Sequence, residues 1–391
     1  MRIAYVVGTY PSRSETFIAR EIEALEAAGI EVVVFPVWRA RDLPPGMAAT
    51  RPLSTVGWPS VVEQCEHWWA NVCWQTWFLR AMCRHPRVGF RALWYLGTAF
   101  GIAHVLRRVG VDRVHGHFAN LPSTVAWVVA SLLGVPFSLS VHARDVFVEP
   151  EFLADKARDA DCMVACNSAA AKRAAELIDG ADRDKVVLVP HGLPVDRYAF
   201  REALPDGPPL VLAVGRLVEK KGFVHLVEAM AQLRRRHSAV RCWIAGDGPE
   251  RDALGRQVAA LGLGGIVELK GWLSQDEVRA ALEGATALAV PSIVASDGDM
   301  DGLPNVVLEA AACGVPLVTT DAGGILDFVA DGQTGLVARQ ADAGDLAAKL
   351  DDVLSQPAAA AERTRHACQL VAEHFDFAHA GAELLRTLGI G

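Results

Sequence analysis

Arg216 and Lys221 stand five residues apart in GRLVEKKGF, and Asp301 and Glu309 stand eight apart in DGLPNVVLE. A guanidinium fork and an ammonium point charge suit a diphosphate, because both neutralise charge on a departing phosphate. Carboxylates suit sugar and ribose hydroxyls, since each accepts two hydrogen bonds from a diol. Within the second segment Gly302 marks a turn, Leu303 follows, and Pro304 falls where a helix starts, ahead of Asn305. Backbone N–H groups left free there face an anion. The plainer alternatives are two solvated cations, a solvated Glu309, and an Asp301 that only complements the helix dipole. Two more loops contribute. Gly246 and Gly248 in IAGDGPE would let backbone approach a ligand, although Arg251 stands where a third glycine would complete a dinucleotide fingerprint. Trp272 and Leu273 in GWLSQDE form a wall for a base, or Trp272 packs into the core. Gly323 and Gly324 add a fifth loop. Asp297, Asp299 and Asp301 alternate like the start of a calcium loop, but no glutamate follows at the required distance, so no metal is expected.

Those loops need a frame. From Leu210 the chain alternates strands (210–214, 241–245, 266–269, 287–291, 316–319) with helices (224–235, 250–261, 275–284, 304–313), and each candidate loop leaves a strand's carboxyl end. This order predicts a doubly wound α/β domain, whose ligands sit beyond those ends. The first half repeats the theme: strand 3–7, helix 16–28, strand 31–36, strand 113–116, helix 121–133, strand 137–141, and short strands at 162–166 and 186–189. Segment 191–209, with four prolines, is the linker candidate. The expected domains are 1–195, with a Trp/Arg-rich helical region at 58–108, and 205–370; residues 371–391 are read as a helix returning to the first domain, the end of a helical stretch at 359–388.

A length of 391 residues accommodates two such cores. The net charge of −8 arises after residue 195, where about 18 basic residues face 27 acidic ones; no basic stripe favours nucleic acid. Eight cysteines contain no CxxC pair and suit a reducing cytoplasm. The uncharged run from Phe118 to Val141 has the length of a membrane span. Asn120, Pro122, Gly134 and Pro136 divide it into strand, helix and strand instead. Between 58 and 108, Trp58, Trp68, Trp69, Trp74, Trp77 and Trp94 lie among Arg80, Arg84, Arg87, Arg91, Arg107 and Arg108. Such a surface suits a membrane interface, and equally a buried helical subdomain or a dimer contact. His115 and His117 alternate along a strand and are expected on opposite sides of it, which argues against a shared metal.

GRLVEKKG, IAGDGP, VPS, DGLPNVVLEAAACGVPLV and GG followed by DGQTGLV occur in the order and spacing of the family 4 glycosyltransferases of the GT-B fold, and the chain resembles that family over nearly its whole length. The resemblance implies an α/β protein of two Rossmann-like doubly wound domains facing a cleft. It also implies a donor held mainly by the second domain, and retention of configuration without a metal. Arg216 and Lys221 would bind the donor diphosphate and Glu309 the ribose. The family usually carries Glu at the place of Asp301, so the shorter acid alters reach to the transferred sugar. His142 matches a cleft histidine that hydrogen-bonds that sugar, with Asp145 a weaker candidate. The loop containing Gly8, Ser14 and Thr16 would approach the phosphates.

SETF, HGHFAN, SVHARDVF and DGDMDGLP resemble exopolysaccharide enzymes of the colanic-acid type. The implied activity is a hexosyltransferase moving a sugar from a nucleotide diphosphate, UDP before GDP, onto a saccharide or a polyprenyl-diphosphate-linked acceptor. The nucleotide sugar is co-substrate and no resident cofactor is expected. Location would be cytoplasmic, at the inner face of the plasma membrane if region 58–108 docks there, and the oligomeric state is left open. Rival readings are a GT-B epimerase, a phosphorylase with bound pyridoxal cofactor, transfer to a soluble small acceptor, or a non-catalytic sugar-nucleotide binder.

Overall fold

The computed structural model describes residues 1–12, 15–38, 83 and 86–390, and the side chains of 86–95 are outside it. Ser14 and the tryptophans from Trp58 to Trp77 therefore lie outside the described residues, as do the side chains of Arg80, Arg84, Arg87, Arg91 and Trp94. The described chain divides into two compact units: Met1–Gly192 with Ala380–Gly391, and Leu193–His379.

The first unit starts with β1 (Arg2–Val7), whose apolar run is buried on both faces, as a parallel strand covered by helices requires. α1 (Thr16–Ala27), β2 (Glu31–Pro36), α2 (Pro86–Val109), β3 (Arg113–His117), α3 (Leu121–Leu133), β4 (Phe137–Val141), α4 (Ala143–Phe147), α5 (Leu153–Asp159), β5 (Cys162–Ala165), α6 (Ser168–Glu176) and β6 (Val186–Leu188) follow. The strands form one sheet in the order β2-β1-β3-β4-β5-β6, each neighbouring pair parallel. Strand order reverses direction between β1 and β3, so the crevice of this unit opens at their carboxyl ends. The long uncharged run becomes α3, buried on nearly every side and ended by Gly134 in the left-handed conformation. Among the described residues no helix is long and apolar enough to cross a membrane.

The second unit contains β7 (Leu210–Val214), α7 (Phe223–Leu233), β8 (Arg241–Ala245), α8 (Arg251–Ala260), β9 (Val267–Gly271), α9 (Gln275–Gly284), β10 (Ala287–Val290), α10 (Asn305–Ala312), β11 (Leu317–Thr320), β12 (Leu336–Ala338), α11 (Ala343–Ser355) and α12 (Pro357–His374). Its parallel sheet runs β12-β11-β10-β7-β8-β9. Here the reversal falls between the adjacent strands β7 and β10. Two hydrophobic layers, one with Leu226, Met230 and Leu350, the other with Val307, Leu308 and Phe328, enclose it.

Two expectations change. Segment 191–209 is more than a connector: Leu193 exchanges backbone hydrogen bonds with Phe375 and Phe377, at 2.7 and 2.9 Å. The Arg201 guanidinium donates to the carbonyls of Glu283, Ala285 and Gly314, so cationic fork geometry pins a proline-rich strip to the second unit. That pairing with Leu193 also breaks the terminal helical stretch, which is α12 followed by α13 (Phe377–Thr387). Leu384 and Leu388 of the last segment are buried with Ile3, Tyr5 and Ile18 in the first unit.

Candidate active site

In the second unit the loops after β7 and β10 meet at the reversal point, where a doubly wound sheet presents ligands with backbone and side chains from both halves. Gly222 closes the first loop with φ 61°, and a Cβ there would lie 1.9 Å from the Pro291 carbonyl oxygen. Ile293 donates its N–H to the Lys220 carbonyl at 2.8 Å, while Ser296 gives its N–H and hydroxyl to the Glu219 carboxylate at 3.0 and 2.8 Å. The loops are therefore clasped by backbone contact before any ligand arrives.

Within that clasp Asp301 is 6% exposed and faces two hydrogen-bond donors and a second ammonium group. Lys221 Nζ lies 2.8 Å from Oδ2, the Ser292 hydroxyl donates to Oδ2 at 2.6 Å, and Lys220 Nζ lies 3.7 Å from Oδ1. Lys220 also pairs with Asp299 at 3.0 Å and donates to the Met300 carbonyl at 3.2 Å. Burial alone would raise the Asp301 pKa; the two ammonium groups and the hydroxyl outweigh it and hold the carboxyl below its ordinary range. Asp301 is thus ionised at neutral pH and turned into the loop, toward Lys221. Lys220 and Ser292 were missed by the sequence reading, although GRLVEKKG and VPS contain them. Of the alternating acids, Asp297 accepts the Asp299 N–H at 2.9 Å while Asp299 and Asp301 pair with lysines.

Arg216, in contrast, is exposed at the same edge and pairs with no acid among the described residues. α10 begins immediately after Pro304, which offers no capping side chain, so the positive end of the helix falls at the end of the loop that carries Asp301. Glu309 is half-buried and lies four residues after Asn305, on the same helix face. Gly302, Leu303 and Pro304 are half-buried, with Leu303 packed on the apolar layer beneath. Trp272 stands 41% exposed beyond β9, whereas Leu273 packs against the core.

The glycines of IAGDGPE have a second task. Gly246 adopts φ 144°, and a Cβ would stand 1.8 Å from the Gly215 carbonyl oxygen; at Gly248 it would stand 2.4 Å from that of Leu217. Their missing side chains let the loop after β8 lie against the loop that carries Arg216. Close approach to a neighbouring backbone demands glycine here whether or not a ligand is bound.

In the first unit Gly8 leaves β1 under the Trp38 ring, which a Cβ would meet at 2.9 Å, and Thr16 opens α1. His142 directly follows β4 and is 9% exposed. Its ring centroid lies 4.4 Å from that of Phe118, 5.1 Å from Phe17, 5.6 Å from His191 and 5.8 Å from His117, and neither ring nitrogen has a hydrogen-bond partner. Burial, with neighbouring imidazoles, pushes its pKa well below the ordinary histidine value, so the ring is neutral. Asp145 sets its backbone. One carboxylate oxygen accepts the His142 N–H at 2.7 Å and the other the Ala119 N–H, joining the loops after β3 and β4. Lys156, fully buried, donates to the carbonyls of Ala119 and Asn120 at 2.8 and 2.9 Å, and burial depresses its pKa.

His115 and His117 share one face of β3, correcting the expectation of opposite faces. Residues two apart in a strand point the same way, and the ring centroids are 5.1 Å apart. His115 is bracketed by the hydroxyls of Ser138 and Ser140 at 2.9 and 3.0 Å, and burial lowers its pKa to about 3. His117 Nε2 lies 3.2 Å from Glu21, which also accepts the Tyr5 hydroxyl at 2.5 Å. Glu21, His115 and His117 place three ligand atoms within 4.8 Å, but the serines already engage both nitrogens of His115.

Residues 14–197 match the family described as Glycosyltransferase Family 4, and residues 195–369 match Glycosyl transferases group 1. The glycogen synthase of Mycobacterium tuberculosis is 31% identical over 294 residues, covering 70% of this chain and 68% of that protein. WcaL of Escherichia coli, named for colanic acid biosynthesis, is 26% identical over 383 residues, 90% of each chain. Among solved structures, sucrose-phosphate synthase from Thermosynechococcus elongatus superposes with TM-score 0.76 at 20% identity, covering 100% of this chain and 99% of its own. Anabaena HepE in complex with UDP gives 0.69 at 17%, covering 100% of both.

Proposed function

Because this chain belongs to the family 4 glycosyltransferases, with the two-domain GT-B fold, we propose that it moves a hexose from a nucleoside diphosphate, UDP in the first instance, onto a saccharide. The acceptor class proposed is a lipid-linked saccharide of exopolysaccharide or cell-surface glycan synthesis, in keeping with WcaL over 90% of both chains. The observation that carries the donor assignment is the edge between β7 and β10. Exposed Arg216, Lys221 held by Asp301, and the positive end of α10 all belong to loops that leave two adjacent strands. A diphosphate is the anion whose length and charge such an edge suits.

In the proposed reaction the bond from the anomeric carbon to the phosphate oxygen breaks while Arg216 and Lys221 stabilise the charge on the departing diphosphate. The acceptor hydroxyl forms the new bond on the same face, giving retention, and its proton passes to a departing phosphate oxygen. No metal is assigned a step. Asp301 holds Lys221 in position, Glu309 receives the ribose hydroxyls, and Trp272 covers the base. The neutral His142 ring is proposed to hydrogen-bond the transferred sugar. Region 58–108 is proposed to dock at anionic membrane beside the acceptor, tested by liposome co-sedimentation at low salt.

The deciding experiment is a thermal-shift and turnover screen of the purified chain against UDP- and GDP-sugars. Stabilisation by UDP and release of UDP from one UDP-hexose in the presence of acceptor support the reading. No stabilisation by either nucleotide refutes the donor assignment.

A further inference from the structure

β4, β5 and β6 are neighbours in the first sheet, and the chain leaving each carries one metal-ligating side chain. These are His142 directly after β4, Cys166 directly after β5, and His191 three residues after β6. Parallel neighbours are spaced about 4.8 Å apart, so side chains leaving three consecutive strand ends can converge over the middle one. They do. One ligand atom from each of His142, Cys166 and His191 lies within 4.8 Å of the others.

Four features fit a soft or borderline cation. Two imidazoles on one tetrahedral zinc place their ring centroids roughly 5 Å apart, given metal–nitrogen bonds of about 2.0–2.1 Å. The His142 and His191 centroids are 5.6 Å apart, with ring planes 22° from parallel. Both His142 nitrogens are buried without a partner, an arrangement that wastes hydrogen-bonding capacity unless something binds there. Cys166 precedes Asn167, which caps α6 by accepting the Ala170 N–H at 2.8 Å and donates its own amide N–H to the Cys166 sulfur at 3.2 Å. The helix N-terminus and that N–H both favour negative charge on sulfur, the form that binds metal. Phe17 and Phe118 pack against the two rings, at 4.2 Å from His191 and 4.4 Å from His142, and supply an apolar surround.

We propose that His142, Cys166 and His191 bind one divalent cation of the zinc class, with water completing a four-coordinate site. The ligand atoms must draw in by about an ångström to reach tetrahedral spacing, which small χ rotations supply. Occupation takes the His142 nitrogen away from the sugar, so the cation acts as a reversible inhibitor; this consequence alone rests on the function proposed above.

The test uses the purified full chain stripped with chelator and titrated with Co²⁺, then Zn²⁺. The expected result is saturable 1:1 binding with thiolate-to-cobalt charge-transfer absorption, displaced by Zn²⁺. Cys166→Ser should abolish that absorption, and His191→Gln should weaken binding at least tenfold, each with an unchanged melting temperature without metal. Absence of 1:1 binding, or thiolate absorption that survives Cys166→Ser, overturns the site. Because absorption needs no turnover, the site stands or falls apart from the transferase reading. The inhibitory part fails if Zn²⁺ at saturating occupancy leaves donor turnover of the wild type unchanged; it is supported if turnover falls at least tenfold in wild type and not in Cys166→Ser.

Discussion

Asp301→Asn removes one charge from a site with two ammonium groups, at 2.8 Å and 3.7 Å, while preserving shape and the hydrogen bond from Ser292. At an effective dielectric of about 20 the nearer attraction is roughly 6 kcal/mol, a gross figure that desolvation of the carboxylate offsets. Removing one partner of a buried pair costs about 3–5 kcal/mol. Lys221 and Lys220 retain 15% and 12% side-chain exposure. Water therefore moderates the loss, and about 3 kcal/mol is expected. For a unit of this size each kcal/mol lowers the melting temperature by about 2–4 °C, which gives a drop of roughly 6–12 °C at pH 7 by calorimetry.

The pH dependence has a fixed sign. A carboxyl held below its unfolded value of about 3.9 contributes stability above that pH and loses it as pH falls through the folded value. The gap between wild type and variant must therefore narrow below about pH 4. A double-mutant cycle with Lys221→Met should return a coupling of about 1–3 kcal/mol. Equal melting temperatures at pH 7, or a gap that persists on acidification, would refute the pairing argument.

Arg216→Ala should reduce sugar transfer by at least about a hundredfold, as loss of one charge-stabilising donor does, while moving stability by no more than about 0.5 kcal/mol because the residue is exposed. Lys221→Ala should lose a similar factor and also melt lower; a variant as stable as wild type contradicts the buried pair. Gly246→Ala should destabilise by about 3 kcal/mol or more, read in urea unfolding, since its Cβ would stand 1.8 Å from the Gly215 oxygen at φ 144°. Transfer rates should show no histidine inflection between about pH 6 and 8, because burial keeps His142 neutral there; an inflection abolished by His142→Ala would disprove that.

Sequence alone determined the two parallel sheets and which loops leave the carboxyl ends of their strands. Strand and helix periodicities are local, and a strand–helix–strand order leaves crossovers as the connection. GRLVEKKG after one strand and DGLPN after another were therefore legible as loops on one sheet edge. The tertiary structure decided which side chains meet there, because strand order and loop approach are not local. Asp301 turned to Lys221, Lys220 and Ser292, a partner set that spacing could not reveal. Gly246 and Gly248 proved necessary to the approach of a neighbouring loop. His142, Cys166 and His191 follow no spacing rule in the chain and converge only because β4, β5 and β6 lie side by side.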